Sequence, residues 1–210
     1  MQTIRIKHIV DDFDVSSLDE ALWQQAERIT VTAYWSGEAA PLERRFDVRL
    51  LWSGKYLYVR FDAEQHEPLV VAEHPDTSKK TIGLWDRDVC EIFIAPNAST
   101  PNRYFEFEVA PTGEWIDLEL EITPNGRRTN WDYMSGIQAG ARIDGVQVIG
   151  FLKIPFAALG RTPGPGEVWL GNLFRCVGSG ATRGYLAWRP TRTPMPSFHV
   201  PSAFGGFQFV

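Results

Sequence analysis

Residues 103–122 read RYFEFEVAPTGEWIDLELEI, two runs of strict alternation separated by a Pro-Thr-Gly break. In the first run Phe105, Phe107 and Val109 take one side of an extended chain, and Tyr104, Glu106 and Glu108 the other. In the second, Ile116, Leu118, Leu120 and Ile122 form an apolar side, with Trp115, Asp117, Glu119 and Glu121 opposite. A side-chain period of two is that of a β-strand. Two such runs around Pro111-Thr112-Gly113 predict a hairpin with one apolar and one polar face.

The same signal recurs along the chain. In Phe46–Trp52 the residues Phe46, Val48, Leu50 and Trp52 share a face, and after Ser53-Gly54 the run Lys55–Ala63 aligns Leu57, Val59, Phe61 and Ala63. Asp88–Ala95 sets Val89 and Phe93 against Cys90, Ile92 and Ile94, apolar on both faces like a strand at the centre of a sheet. The opening segment MQTIRIKHIVDDFD and the runs Val146–Ile154, Val168–Val177, Tyr185–Trp188 and Phe207–Val210 read as further strands. Helical signal is confined to a capping box at Ser17-Leu18-Asp19-Glu20, opening a helix that reaches about Gln25, and one turn at Pro155–Leu159. The pattern predicts an all-β chain: one domain over residues 1–210, an antiparallel β-sandwich of the jelly-roll kind with one or two short helices. Glu64–Leu84 and Pro190–Pro201 are long connections for such a domain, and long loops are where function concentrates.

Composition narrows the partners. An apolar fraction of 44% fills a core, while a net charge of -5 without a basic stripe argues against nucleic acid. No run of 18 apolar residues is present, so no membrane-spanning helix is expected. The N-terminal segment lacks the charged and apolar parts of a signal peptide. Cys90 and Cys176 read either as two buried thiols or as a bridge across the sandwich, and no metal-binding cysteine spacing occurs. The aromatic load is high, with eight Trp, thirteen Phe and six Tyr, enough to leave rings for a ligand after the core is filled.

Several constellations could carry function. Tyr104 and Trp115 fall among Glu106, Glu108, Asp117 and Glu119, which is either a solvated face or a binding surface. A ring among carboxylates matches a sugar, whose axial C–H groups pack on an aromatic face while its hydroxyls need planar donors and acceptors. Carboxylates among Glu106, Glu108 and Asp117 could alternatively serve glycoside hydrolysis. Glu91 shares a strand face with Val89 and Phe93, a place where a carboxylate needs a partner. That partner is either an arginine (Arg49, Arg60 or Arg175) or a ligand. Met195 and His199, four apart in a loop, form a remote haem-ligating alternative. Gly178-Ser179-Gly180 lacks the strand-to-helix setting of a phosphate loop and reads as a turn.

The run Trp85-x-x-Asp88-x-x-Glu91-Ile92-Phe93-Ile94 resembles the signature of the family 9 carbohydrate-binding modules, first known as appendages of xylanases. Other parts agree in order: Asp12–Trp23, Val48-Arg49-Leu50-Leu51-Trp52 with Lys55-Tyr56-Leu57-Tyr58-Val59, Gly171-Asn172, and Phe198-His199-Val200-Pro201 with Phe204-Gly205. The resemblance implies non-catalytic binding of a glucan- or xylan-type chain end, clamped between two aromatic rings. It places the first ring at Trp85 and the second at Phe198, where the family has tryptophan. Glu91 matches a carboxylate that bonds sugar hydroxyls, and Glu108 stands where the family has an arginine. Arg175 and His199 are candidate donors at the rim. The resemblance also implies structural calcium, for which the acidic segment Val10–Asp14 is a candidate, and an extracellular or periplasmic setting if a leader has been removed.

Overall fold

The structure, a computed structural model, describes residues 2–14 and 20–210. Among them thirteen strands form one curled sheet: β1 Thr3–His8, β2 Ile29–Val31, β3 Phe46–Trp52, β4 Tyr56–Glu64, β5 Val89–Ala95, β6 Arg103–Val109, β7 Trp115–Thr123, β8 Gly126–Asn130, β9 Gln138–Asp144, β10 Gln147–Pro155, β11 Val168–Val177, β12 Gly184–Ala187 and β13 Gly205–Phe209. Their order is β8-β7-β6-β5-β11-β13-β1-β3-β4-β10-β9, with β12 added to β11 and β2 to β3. The all-β expectation holds. The expected helix appears as the short α1, Glu20–Trp23, while the capping residues Ser17–Asp19 lie outside the described residues.

β1 departs from the expected antiparallel scheme, because it pairs in parallel with both neighbours. Thr3–Ile6 lie against β13 and Lys7–His8 against β3, so one strand belongs to two leaves and makes the corner between them. The inward residues that alternation assigned fill the space between the leaves: Val48, Leu50, Val59 and Phe61 from one, Ile92, Phe107, Leu173 and Phe207 from the other. The leaves approach closely at Gly150 of β10, where a Cβ would come 2.9 Å from a Val109 methyl of β6.

The first leaf, β8 through β13, is covered on its outer face as well. There Val89, Phe93, Tyr104, Ile116, Leu118 and Phe174 form a second apolar layer beneath Leu84, Phe198 and Phe204, which the long loops bring over it. β5 carries Ile92 and Ile94 inward and Val89 and Phe93 outward, the double-sided burial that its sequence predicted.

The β6–β7 hairpin forms, but not with one polar face. Its register pairs Glu106 with Leu118, Glu108 with Ile116 and Phe107 with Asp117. The polar side of β6 therefore shares a face with the apolar side of β7. Tyr104, Glu106 and Glu108 lie under the outer layer with Ile116, Leu118 and Leu120, whereas Trp115 and Asp117 point the other way. Two expectations fall with this register. Tyr104 and Trp115 do not form one surface, and Asp117 cannot join Glu106 and Glu108 in a carboxylate pair. Asp117 is instead held by Lys80 at 2.7 Å and by the Ser135 amide and hydroxyl at 2.6 and 2.7 Å.

Candidate functional site

The outer face of the first leaf holds a cavity of about 260 Å³. Glu91 and Glu106 line it together with Leu118, Leu120 and Cys176, and its walls are Trp85, Trp131, Tyr185 and Phe198. Asp86, Arg127, Thr129, Ser197 and His199 supply polar groups around it.

Trp85 is set by its backbone. It sits on a single turn, Leu84–Asp86, entered through Gly83 at φ 80°, a left-handed conformation that glycine adopts without strain. Arg183 clasps that turn, donating to the Trp85 and Arg87 carbonyls at 2.6 and 2.8 Å and to the Gly178 carbonyl at 2.7 Å. Asp88 anchors the next residues by accepting from the Val70 amide at 2.9 Å and the Gly178 amide at 2.8 Å. Half-buried and so held, the indole tilts at 44° toward Trp131, with ring centroids 6.2 Å apart. Trp131 is 45% exposed and follows the edge strand β8.

Phe198 reaches the same cavity from the Pro-rich connection, but one face of its ring is already taken. It lies flat on Phe174 at 4.0 Å and 12°, and is only 8% exposed. His199 beside it stacks on Phe93 at 5.3 Å, and its Nδ1 meets the Tyr104 hydroxyl at 2.8 Å. Burial, with the Arg127 charge second, lowers the imidazole to about 3, so His199 is neutral at physiological pH. Met195 is 75% exposed and stands outside the cavity, so the Met/His pair does not converge.

The floor is acidic. β5 and β6 set Glu91 opposite Glu108, and Glu106 opposite Phe93, so three carboxyls collect on one patch of the outer face. Desolvation, then the neighbouring carboxylates, push Glu91 and Glu108 well above the ordinary carboxylate range. Desolvation raises Glu106 as well. The expected arginine partners of Glu91 are absent from this face. Arg49 and Arg60 both bind Asp62 in the second leaf. Glu91 Oε1 instead accepts from the Cys176 thiol at 3.4 Å.

The model of the carbohydrate family 9 binding domain-like proteins matches residues 15–208. The chain belongs to that family. Solved structures agree on the fold. A protein of Bacteroides uniformis described as a candidate carbohydrate-binding protein superposes with a TM-score of 0.77 at 18% identity, covering 100% of this chain and 99% of that one. A family 9 module of Caldicellulosiruptor kristjanssonii in complex with glucose gives 0.69 at 14% identity, covering 100% and 96%. A family 9 module of Caldicellulosiruptor kristjanssonii in complex with cellotriose gives 0.66 at 15% identity, covering 99% and 93%. No curated protein matches significantly.

Within this family 9 domain, five of the six residues singled out from the sequence gather on one face: Trp85, Glu91, Phe198 and His199 line the cavity, and Glu108 lies beneath it. Arg175 does not join them. Alternation along β11 sends it to the other side of the leaf, where it donates to the Arg44 carbonyl at 2.9 Å and to Gln65. Cys90 shares that other side, since it pairs with Arg175 in the ladder, while Cys176 faces the cavity; both thiols are free. Gly171-Asn172 proves structural. A Cβ on Gly171 would lie 2.3 Å from the Phe93 carbonyl oxygen, and the Asn172 amide bridges to the Arg189 backbone. In the acidic segment Val10–Asp14, Asp12 accepts from Ser53 at 2.5 Å and Tyr58 at 3.0 Å and faces Lys55 at 3.6 Å. Trp131, Tyr185, Arg127 and Thr129 went unnoticed in the sequence. A tryptophan after the wholly polar run 126–130, with no apolar face to join, was the one available signal.

Proposed function

We propose that this domain binds carbohydrate without transforming it, clamping the end of a cellulose- or xylan-type chain between Trp85 and the ring wall formed by Phe198 and Trp131. The observation that carries this reading is the cavity itself, in which aromatic rings stand over carboxyl groups on the covered face of a rigid sheet. Rings give a pyranose its apolar contact, and planar carboxyls take its hydroxyls. The cavity is small for a ligand site, which favours a terminal sugar over a long stretch of chain. Membership of the family and the sugars bound by the structural neighbours point the same way. Trp131 enters the clamp because it stands beside Trp85, while Phe198 has only one ring face to offer.

Calorimetric titration with glucose, cellotriose and xylotriose tests this. Losing about 60 Å² of stacking area at roughly 25 cal/mol per Å² amounts to about 1.5 kcal/mol, near a tenfold weaker Kd for Trp85→Ala. Variants Trp85→Ala and Trp131→Ala that fold and bind with the parent's affinity would remove the clamp. Release of nitrophenol from an aryl glycoside by the parent would remove the non-catalytic reading.

A further inference from the structure

Glu91, Glu106 and Glu108 are 2%, 3% and 0% exposed, and one carboxylate oxygen from each lies within 4.8 Å of the others. Buried carboxylates are ordinarily matched by a cation or by several donors, because leaving water without replacement is costly. These are not matched. Both Glu108 oxygens and Glu106 Oε2 receive no hydrogen bond from a donor side chain or amide among the described residues, and the contact between the Glu106 and Glu108 carboxyls can be closed only by a shared proton. Glu91 has the weak thiol donor of Cys176. His199 Nδ1 lies 3.8 Å from Glu106 Oε2, beyond hydrogen-bond reach and on a ring that burial keeps neutral. Arg183, the cation closest to Glu91 in effect, spends its guanidinium on three backbone carbonyls, and Arg127 is exposed on the edge strand β8. Among the described residues, no lysine or arginine forms an ion pair with any of the three.

We propose that this trio is a binding site for a divalent, oxygen-preferring cation of the calcium class, set in the floor of the cavity. The donor type, the room between the oxygens and the charge balance favour that chemistry. The donors are hard carboxylate oxygens, which suit calcium rather than a thiophilic metal. An ion bonded at roughly 2.4 Å can bridge oxygens up to about 4.8 Å apart, and the trio's oxygens lie within that distance of one another, so the site has room for calcium as well as for smaller cations. A charge of two leaves one net negative charge on three carboxylates, whereas a monovalent ammonium group leaves two. Glu108 is fully buried and does not line the cavity, so an occupant that meets all three carboxyls has to be as small as a bare ion. Calcium takes six to eight oxygens, and three carboxylates supply at most six. Because Glu91 and Glu106 border the cavity, the open side of the ion faces the ligand, and sugar hydroxyls complete its shell. That last step rests on the carbohydrate reading; the cation site does not.

The test begins with protein freed of metal by a chelator and then dialysed. Calorimetric titration with calcium chloride should show one ion per chain, and the melting temperature should rise with calcium concentration as for any ligand of the folded state. Glu108→Gln, which keeps shape and burial, should weaken calcium binding at least tenfold; Glu106→Gln serves if the first variant does not fold. Asp12→Asn should leave binding unchanged. No calcium uptake, or equal uptake by the glutamine variant, overturns the proposal. Binding of glucosamine hydrochloride that calcium does not compete with, lost in the same variants, also overturns it by assigning the trio to an ammonium group. Glucose and cellotriose titrated with and without calcium then separate the two readings. Calcium bound without any sugar affinity refutes the carbohydrate assignment and leaves the ion site standing.

Discussion

Phe198→Ala separates a ring that binds from a ring that holds the fold together. Phe198 is 8% exposed, lies flat on Phe174 at 4.0 Å, and meets the edge of Tyr185 at 6.2 Å. It roofs the layer formed by Phe93, Phe174, Tyr104 and Leu118. A phenyl group buried to this extent hides roughly 150 Å², which at about 25 cal/mol per Å² is about 4 kcal/mol, within the range of about 3–5 kcal/mol measured for such truncations. For a chain of this length each kcal/mol moves the melting temperature by about 2–4 °C, so the variant should melt about 8–16 °C below the parent. Differential scanning calorimetry reads this directly. The same calorimeter run on Trp85→Ala should show a smaller loss, because that indole is only half-buried. A Phe198→Ala protein melting within about 2 °C of the parent would refute the packing role and leave Phe198 only its place in the clamp, as a surface ring.

Two further outcomes follow from the structure. Gly171→Ala should lose more than about 3 kcal/mol of stability or fail to accumulate as folded protein. Its Cβ would sit 2.2 Å from a Phe207 ring carbon and 2.3 Å from the Phe93 carbonyl oxygen, and a backbone atom cannot step aside. Thermal denaturation checks it, and a near-parental midpoint would disprove the clash. The second concerns pH. Glu91 and Glu108 are raised above the ordinary glutamate value of 4.5, so the folded state binds more protons than the unfolded one above that pH. Their contribution is complete below pH 4.5 and is lost as pH rises toward their folded-state values, so metal-free protein should lose stability from them on the alkaline side. Glu108→Gln should flatten that decline and melt above the parent at pH 8 in the presence of chelator. A variant with the parent's pH profile would show that Glu108 is not held protonated.

Alternation alone determined most of the strands, because a side chain's face depends only on its own position in an extended chain. It marked β3, β4, β6 and β11 to within a residue or two, and it marked β5 as central because both of its faces are apolar. It missed β2, which is only three residues long, and β8 and β9, because edge strands such as 126–130 expose both faces and need no apolar period. The motif around Trp85 and Glu91 was likewise legible, since its residues are close in sequence and their roles follow from one turn and one strand.

What only the tertiary structure decided is which faces meet. The polarity patterns of β6 and β7 are out of step, and nothing local says whether polar will oppose polar. The register places Glu106 and Glu108 with Leu118 and Ile116, because loops from two distant parts of the chain cover that face and make it a second interior. The same long-range packing hides one side of Phe198 behind Phe174, turns Arg175 away, and brings Trp131 across 46 positions of sequence to stand beside Trp85. Each of these depends on contacts between residues far apart in the chain, which a period of two cannot encode.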